Sequence, residues 1–181
     1  MGEFADDVRD RLRDALAERQ PSLDWETEHY LRRTPVDVTA TSEDDDRFVA
    51  VELEWRRADP ANNTAKLFYY AEDGAIEQDE IVVCQLFSGY YDLDSDGVSA
   101  SDASGGSTDA SVGVSSKREV AEFVGETAAE SVEGVSFHPL RLAVDPPKKG
   151  GNKPERWQVK TDEAAENRVT ALNPNARAEK K

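Results

Sequence analysis

The chain has 181 residues, with 38 Asp and Glu against 22 Lys and Arg, and a net charge of -16. That length suits one domain with a sizeable core, and 38% hydrophobic content with three Trp argues against a disordered acidic chain. The absence of an apolar stretch of about eighteen residues or of a signal-like N-terminus excludes membrane partners and predicts a cytoplasmic protein.

Residues 3–19 place Phe4, Val8, Leu12 and Leu16 at helical spacing with charges on the other faces, which predicts an amphipathic helix. After Gln20-Pro21, residues 23–31 alternate Leu23, Trp25, Thr27, His29 and Leu31 with Asp24, Glu26, Glu28 and Tyr30, the period of a strand. Residues 35–42 are rich in β-branched side chains and read as a second strand; a charged turn at 43–46 leads into a third, Arg47 to Trp55. A break at Arg56–Pro60 precedes a helix over 61–72, with Ala65, Leu67, Phe68 and Ala71 on its buried face and Gly74 at its end.

Residues 81–87 (IVVCQLF) are almost continuously apolar, as in a strand covered on both faces, and the lone Cys84 reads as a small buried hydrophobe. Ser, Gly and Asp dominate 93–115, a flexible loop. A helix begins at Ser116, with Ser116 and Glu119 as a capping box and Val120, Phe123, Val124 and Ala128 as its apolar stripe. Residues 135–144 form the last strand, which Pro139 confines to an edge or kinks. Residues 1–145 therefore make a single domain, followed over 146–181 by a Lys/Gly loop, a short strand at 156–160 and a tail from Asn167.

The third strand carries the chemistry. In RFVAVELEW, Phe48, Ala50, Glu52 and Glu54 share one face because successive side chains point to opposite sides of a sheet. Two carboxylates at i and i+2 among apolar neighbours are costly to desolvate without a positive partner, and a divalent cation is the simplest one. The strand reads as one wall of a metal site or as a solvated acidic face, and its apolar company favours the former.

The order helix, three strands, helix, strand, then helix and strand resembles the core of the PD-(D/E)xK nucleases, the restriction endonuclease-like fold. Pro35-Val36-Asp37 matches the PD element with one residue inserted, and Glu52-Leu53-Glu54 matches D/E-x-K. The E-x-E form, with the run ELEWRRADP, is similar to type II restriction enzymes that carry Glu or Gln in place of Lys. The resemblance implies an α/β (α+β) fold, order αβββαβ followed by αβ, with a central mixed sheet flanked by helices. It implies a Mg²⁺- or Mn²⁺-dependent DNA endonuclease of restriction or repair type, or a catalytically degenerate relative that binds nucleic acid or protein without cutting. Asp37 and Glu52 would then be metal ligands together with the Leu53 carbonyl, Glu54 a ligand or proton acceptor, and Glu18 an additional acid. A homodimer acting on a palindromic site also follows from the family. The dispersed acidity and preference for Arg over Lys resemble haloarchaeal cytoplasmic proteins. At roughly 1 M salt the Debye length falls to about 3 Å, so local basic patches matter more than net charge.

Candidate DNA contacts are Arg32-Arg33, Arg56-Arg57 and Lys66, and a second group, Lys148, Lys149, Lys153 and Arg156, around a Gly-rich loop. The first group reads equally as solvated salt-bridge partners, the second as a connector. Arg56 shares the face of Glu52 and Glu54 if the strand runs on. Asp92-x-Asp94-x-Asp96-Gly97 matches the start of an EF-hand loop, but Ala103 stands where a bidentate Glu is required, so an acidic loop is expected. His29 and His138 are far apart in sequence and build no triad or zinc motif.

Overall fold

A computed structural model describes residues 2–42, 44, 46–93, 113–148 and 150–172, with side chains through Asn167. The elements run α1 (Glu3–Arg19), β1 (Leu23–Leu31), β2 (Thr34–Ser42), β3 (Arg47–Glu54), α2 (Pro60–Glu72), β4 (Glu80–Ser88), a 3₁₀ turn (Gly89–Tyr91), β5 (Asp92–Leu93), β6 (Gly113–Val114), α3 (Ser116–Ser131), β7 (Val135–Leu142) and α4 (Trp157–Leu172). The sheet order is β1-β2-β3-β4-β7. β1, β2 and β3 form an antiparallel meander, whereas β3, β4 and β7 are mutually parallel. The fold is therefore α+β around a five-stranded mixed sheet.

Each parallel step is a β-helix-β crossover, β3-α2-β4 and then β4-α3-β7. Two successive crossovers of the same hand put α2 and α3 on one face, where they contact each other. α1 and α4 pack together on the other face. Val8, Leu12, Ala15 and Leu16 of α1 meet Val38, Val49, Val51, Leu53, Val82, Cys84 and Leu86 in one core layer. Leu67 and Phe68 of α2 meet Val36, Phe48, Ala50, Ile81 and Val83 in the other. The central strands β3 and β4 thus feed both layers, which explains the continuous apolar run of β4.

Strand β1 departs from the expected alternation. Leu23 and Trp25 belong to the α1 layer, but Leu31 lies in the α2 layer, and His29 packs against Phe48 of that same layer. The switch occurs at Glu28, whose φ of 58° is left-handed and which drops out of the pairing register opposite Asp37. β2 changes layer at the facing position, with Val38 in the α1 layer and Val36 in the α2 layer.

Two helices also differ from expectation. α3 buries Ala121 and Gly125 and leaves Val120 and Phe123 54% and 67% exposed. The reason lies in β7: a Cβ on Gly125 would fall 2.4 Å from the Phe137 ring, so the small residues of α3 face the sheet and the ring fills the space. Ser115, not Ser116, occupies the N-cap, and its side chain makes no capping bond. Residues expected to form a short strand and tail instead form α4. Among its residues described with side chains, the buried ones are Thr161, Ala164 and Ala165, too small to give a hydrophobic signal in sequence. Trp157 anchors its start edge-on to Phe4, and Asp162 accepts two hydrogen bonds from Arg11 of α1, at 2.8 and 2.6 Å. No helix among the described residues is long and apolar enough to cross a membrane.

Candidate active site where two strands part

The β2–β3 ladder runs from Thr41↔Phe48 to Val38↔Val51 and stops there. Asp37 and Glu52 are the next pair, at the point where the strands separate. A ladder that opens frees backbone groups that must find other partners. Here the Leu53 N–H donates to Asp37 Oδ2 at 2.8 Å. In a strand the N–H and C=O of one residue point to the same side, so the Leu53 carbonyl also faces β2. The β2–β3 register thereby places Glu52 opposite Asp37 across the gap.

Both carboxyls are buried, with 6% of Asp37 and 3% of Glu52 exposed. They hydrogen-bond to each other. Burial raises the pKa of Glu52 well above the carboxylate range, and the charge of Asp37 raises it further. Asp37 is also raised by burial, against the pull of the Leu53 N–H and of Arg57. Both shifts hold the pair toward its protonated forms. The arrangement is that of two carboxylates too close to ionise together without a cation.

Glu54 is fully buried and held differently. Its Oε1 accepts from Gln85 Nε2 at 2.9 Å and Asn63 Nδ2 at 3.1 Å. Gln85 lies on β4 beside Glu52 in register, and its own oxygen accepts from Thr64 Oγ1 at 2.7 Å. A Thr64-Gln85-Glu54 chain, with both α2 side chains contributing, thus fixes one carboxylate oxygen. The other, Oε2, is buried and has no hydrogen-bond partner among the described residues; Arg57 Nε stands 3.9 Å away. Burial raises the pKa of Glu54, opposed by the bonds from Gln85 and Asn63.

No protein-family model matches this sequence, and no curated protein is significantly similar to it. The chemistry therefore rests on the residues themselves. A cleft of about 240 Å³ opens at Glu52, lined also by Asn63, Arg33, Arg57 and Lys66. Arg33, Arg57 and Lys66, three of the expected DNA contacts, border the same opening as Glu52.

The other basic candidates point elsewhere. Strand β3 ends at Glu54 and the chain bends, so Arg56 does not continue the Glu52–Glu54 face; it donates to the Pro146 carbonyl and lies over Tyr90, 5.6 Å from the ring centre. Lys148 borders a separate cleft with Gly2, Phe4 and Trp55. Lys149 lies outside the described residues. Arg32 pairs with Asp73.

Glu18 is exposed in the last turn of α1 and its charge acts on Arg11. The α1 residue whose charge reaches Asp37 is Arg9, about 13 Å nearer the start of the helix. Arg9 in turn bonds Glu28 at 2.8 Å, at the reversal in β1. Gln85, Asn63, Thr64 and Arg9 were not apparent as site residues in sequence, although Gln85 carried a signal: it is the single amide in an otherwise apolar buried strand.

Of the EF-hand-like run, Asp92 is described and lies at the base of the loop. It is buried, accepts from Arg141 Nε at 2.9 Å, and lies 3.9 Å from Arg118. Asp94, Asp96, Gly97 and Ala103 lie outside the described residues.

Whether the carboxylates suit a metal can be judged from their donor set. Among the described residues no three His, Cys, Asp or Glu side chains converge as a ligand group. Mg²⁺ does not need three, since it keeps several waters and is commonly held by one or two carboxylates plus substrate phosphate. Two hard oxygen donors in contact, both desolvated and sharing a proton, and an unpartnered Oε2 on Glu54 fit such an ion.

Proposed function

We propose that the protein is a metal-dependent DNA endonuclease of the restriction endonuclease-like fold. The observation that carries it is the buried Asp37–Glu52 contact at the parting of β2 and β3, where Glu52 lines a cleft bordered by Arg33, Arg57 and Lys66. The order αβββαβ, with β4 parallel to β3, supports the same reading.

Asp37, Glu52 and the Leu53 carbonyl would hold Mg²⁺ or Mn²⁺. When bound, such an ion would supply a more acidic water and neutralise phosphate charge. Glu54 is suited to accept the water's proton, because burial raises its basicity and its Oε2 accepts no hydrogen bond among the described residues. Water oxygen bonds to phosphorus as the bond to the 3′ oxygen breaks. The water's proton goes to Glu54 and the leaving oxygen takes one from solvent, giving a 5′ phosphate and a 3′ hydroxyl. The cleft cations and the nucleic-acid backbone are complementary in charge.

A second reading, a degenerate nuclease fold that binds nucleic acid or protein without cutting, is favoured by one feature. Glu54 stands where many enzymes of the resembled family carry Lys, and Gln85 and Asn63 hold it as a structural carboxylate would be held. Cleavage of supercoiled plasmid in high KCl with Mg²⁺ or Mn²⁺ separates the two. Nicking by wild type that is abolished in Asp37→Ala and Glu52→Ala supports the endonuclease; a folded wild type as inert as both variants leaves the binding module.

A further inference from the structure

We propose that Arg57 is the catalytic cation of this site, contacting the scissile phosphate through its guanidinium, and that Tyr91 is the positioning residue that sets it there. The proposal rests on the endonuclease reading above and specifies which positive charge in the cleft acts at the reacting phosphate.

A phosphodiester approaching Asp37, Glu52 and Glu54 meets a floor of carboxylates. Of the arginines and the lysine that border the cleft, Arg57 is the one whose charge acts on all three of those groups. Its side chain is 41% exposed, and its closest carboxylate oxygen, Glu54 Oε2, is 3.9 Å from Nε, beyond hydrogen-bond distance. Among the described residues the guanidinium donates no hydrogen bond, whereas neighbouring Arg56 is engaged with Pro146. The planar fork of Arg57 is therefore available to a phosphate, whose geometry it matches.

Its backbone, in contrast, is fixed. Residues 55–59 form a bend between β3 and α2, where no ladder satisfies main-chain groups. The Tyr91 hydroxyl fills that role, accepting from Arg57 N at 3.0 Å and donating to Arg57 O at 3.1 Å. Tyr91 is fully buried, edge-on to both Phe87 and Tyr90. Burial and the charge of Glu54 raise its pKa, which preserves the O–H needed as donor. One phenol from the turn that follows β4 thus holds both polar groups of a single loop residue, while the guanidinium of that residue donates no hydrogen bond among the described residues. Fixing a cation before substrate arrives avoids its reorganisation during reaction.

The test is single-turnover cleavage of a DNA duplex over a range of protein concentrations, which separates the rate at saturation from the half-saturating concentration. For Arg57→Ala the saturating rate should fall at least about 100-fold, while half-saturation moves less than about threefold. Arg57→Lys, which restores a charge without the fork, should recover at least about tenfold over alanine. Tyr91→Phe should slow the wild type about tenfold and add nothing to Arg57→Ala, since it acts through that residue. Wild-type speed in Arg57→Ala, a lysine variant no faster than alanine, a loss confined to half-saturation, or multiplicative effects of the two substitutions each overturn the assignment while leaving the nuclease reading intact. A folded wild type that cleaves nothing overturns both.

Discussion

Glu52 faces Asp37 across the first position at which β2 and β3 no longer pair, so the β-sheet opens where two of its buried carboxyls meet. An arrangement of this kind opposes stability in the absence of a cation, because two desolvated acids must share one proton. Glu52→Gln keeps the shape and a donor to Asp37 while removing the ionisation. Without divalent ions at neutral pH, the variant should be more stable than wild type by about 1–2 kcal/mol, a rise in Tm of roughly 2–8 °C. Thermal melts in high KCl with a chelator check this; a Tm below that of wild type would argue that the pair contributes to folding.

The same pair fixes the sign of a pH dependence. Burial raises both carboxyls, so above the ordinary carboxylate pKa of about 4 the folded protein binds more protons than the unfolded chain. The contribution is complete below that value and is lost as pH rises through the folded pKa values. Other acidic groups also titrate, so the informative quantity is the Tm difference between Glu52→Gln and wild type. Without divalent ions it should widen between about pH 5 and pH 8; a difference that stays flat or narrows contradicts the raised values.

Divalent ions should reverse the ranking. An ion that displaces the shared proton binds the folded state and stabilises it by about 2.7 kcal/mol at 100 times its dissociation constant. Wild type should gain Tm on addition of Mg²⁺ or Mn²⁺ at constant high KCl, and Glu52→Gln should gain much less. Because a chain with a net charge of -16 responds to cations in general, equal gains in the two proteins would indicate screening rather than a site.

Gln85 is the support on which Glu54 depends. It donates to Glu54 Oε1 and the Pro60 carbonyl while accepting from Thr64, so its amide is fully engaged between β4 and α2. Gln85→Leu fills similar volume but removes one of the two hydrogen bonds to Glu54 Oε1 and the shorter of the two acceptors of the Thr64 hydroxyl, leaving buried polar groups under-satisfied at about 1–3 kcal/mol each. We expect a loss of roughly 2–4 kcal/mol by denaturant titration in high KCl. A loss within 0.5 kcal/mol, given as an order of magnitude for neutral surface changes, would mean that Glu54 finds another partner.

The element order through β4, and the meeting of Asp37 with the E-x-E strand, were legible because strand periodicity and register place those residues directly. Features decided by single backbone or packing events were not. β1 changes layer at Glu28, where φ is left-handed, and the end of β3 at Glu54 hands the cleft to Arg57 rather than Arg56. Neither leaves a trace in hydrophobic pattern. α4 escaped notice because Thr161, Ala164 and Ala165 carry its contacts, while the more apolar Val159 is 42% exposed.

The orientation of α3 gives a test of the packing itself. Its sequence stripe would bury Val120 and Phe123, yet both are exposed, and Gly125 faces Phe137. Phe123→Ser should therefore change stability by less than about 0.5 kcal/mol, where a core phenylalanine replaced by a small residue would cost about 3–5 kcal/mol. Gly125→Ala should do the opposite of its helix propensity. Alanine favours a helix over glycine by about 1 kcal/mol, but its Cβ would meet the Phe137 ring at 2.4 Å, forcing a shift in a packed layer. Overpacking of that kind costs about 1–3 kcal/mol, so the net effect is a loss. Combining Gly125→Ala with Phe137→Leu, which withdraws the ring, should recover part of it. Denaturant unfolding of the four proteins decides the matter: a destabilised Phe123→Ser beside a stabilised Gly125→Ala would mean that α3 is turned to bury the stripe its sequence suggests.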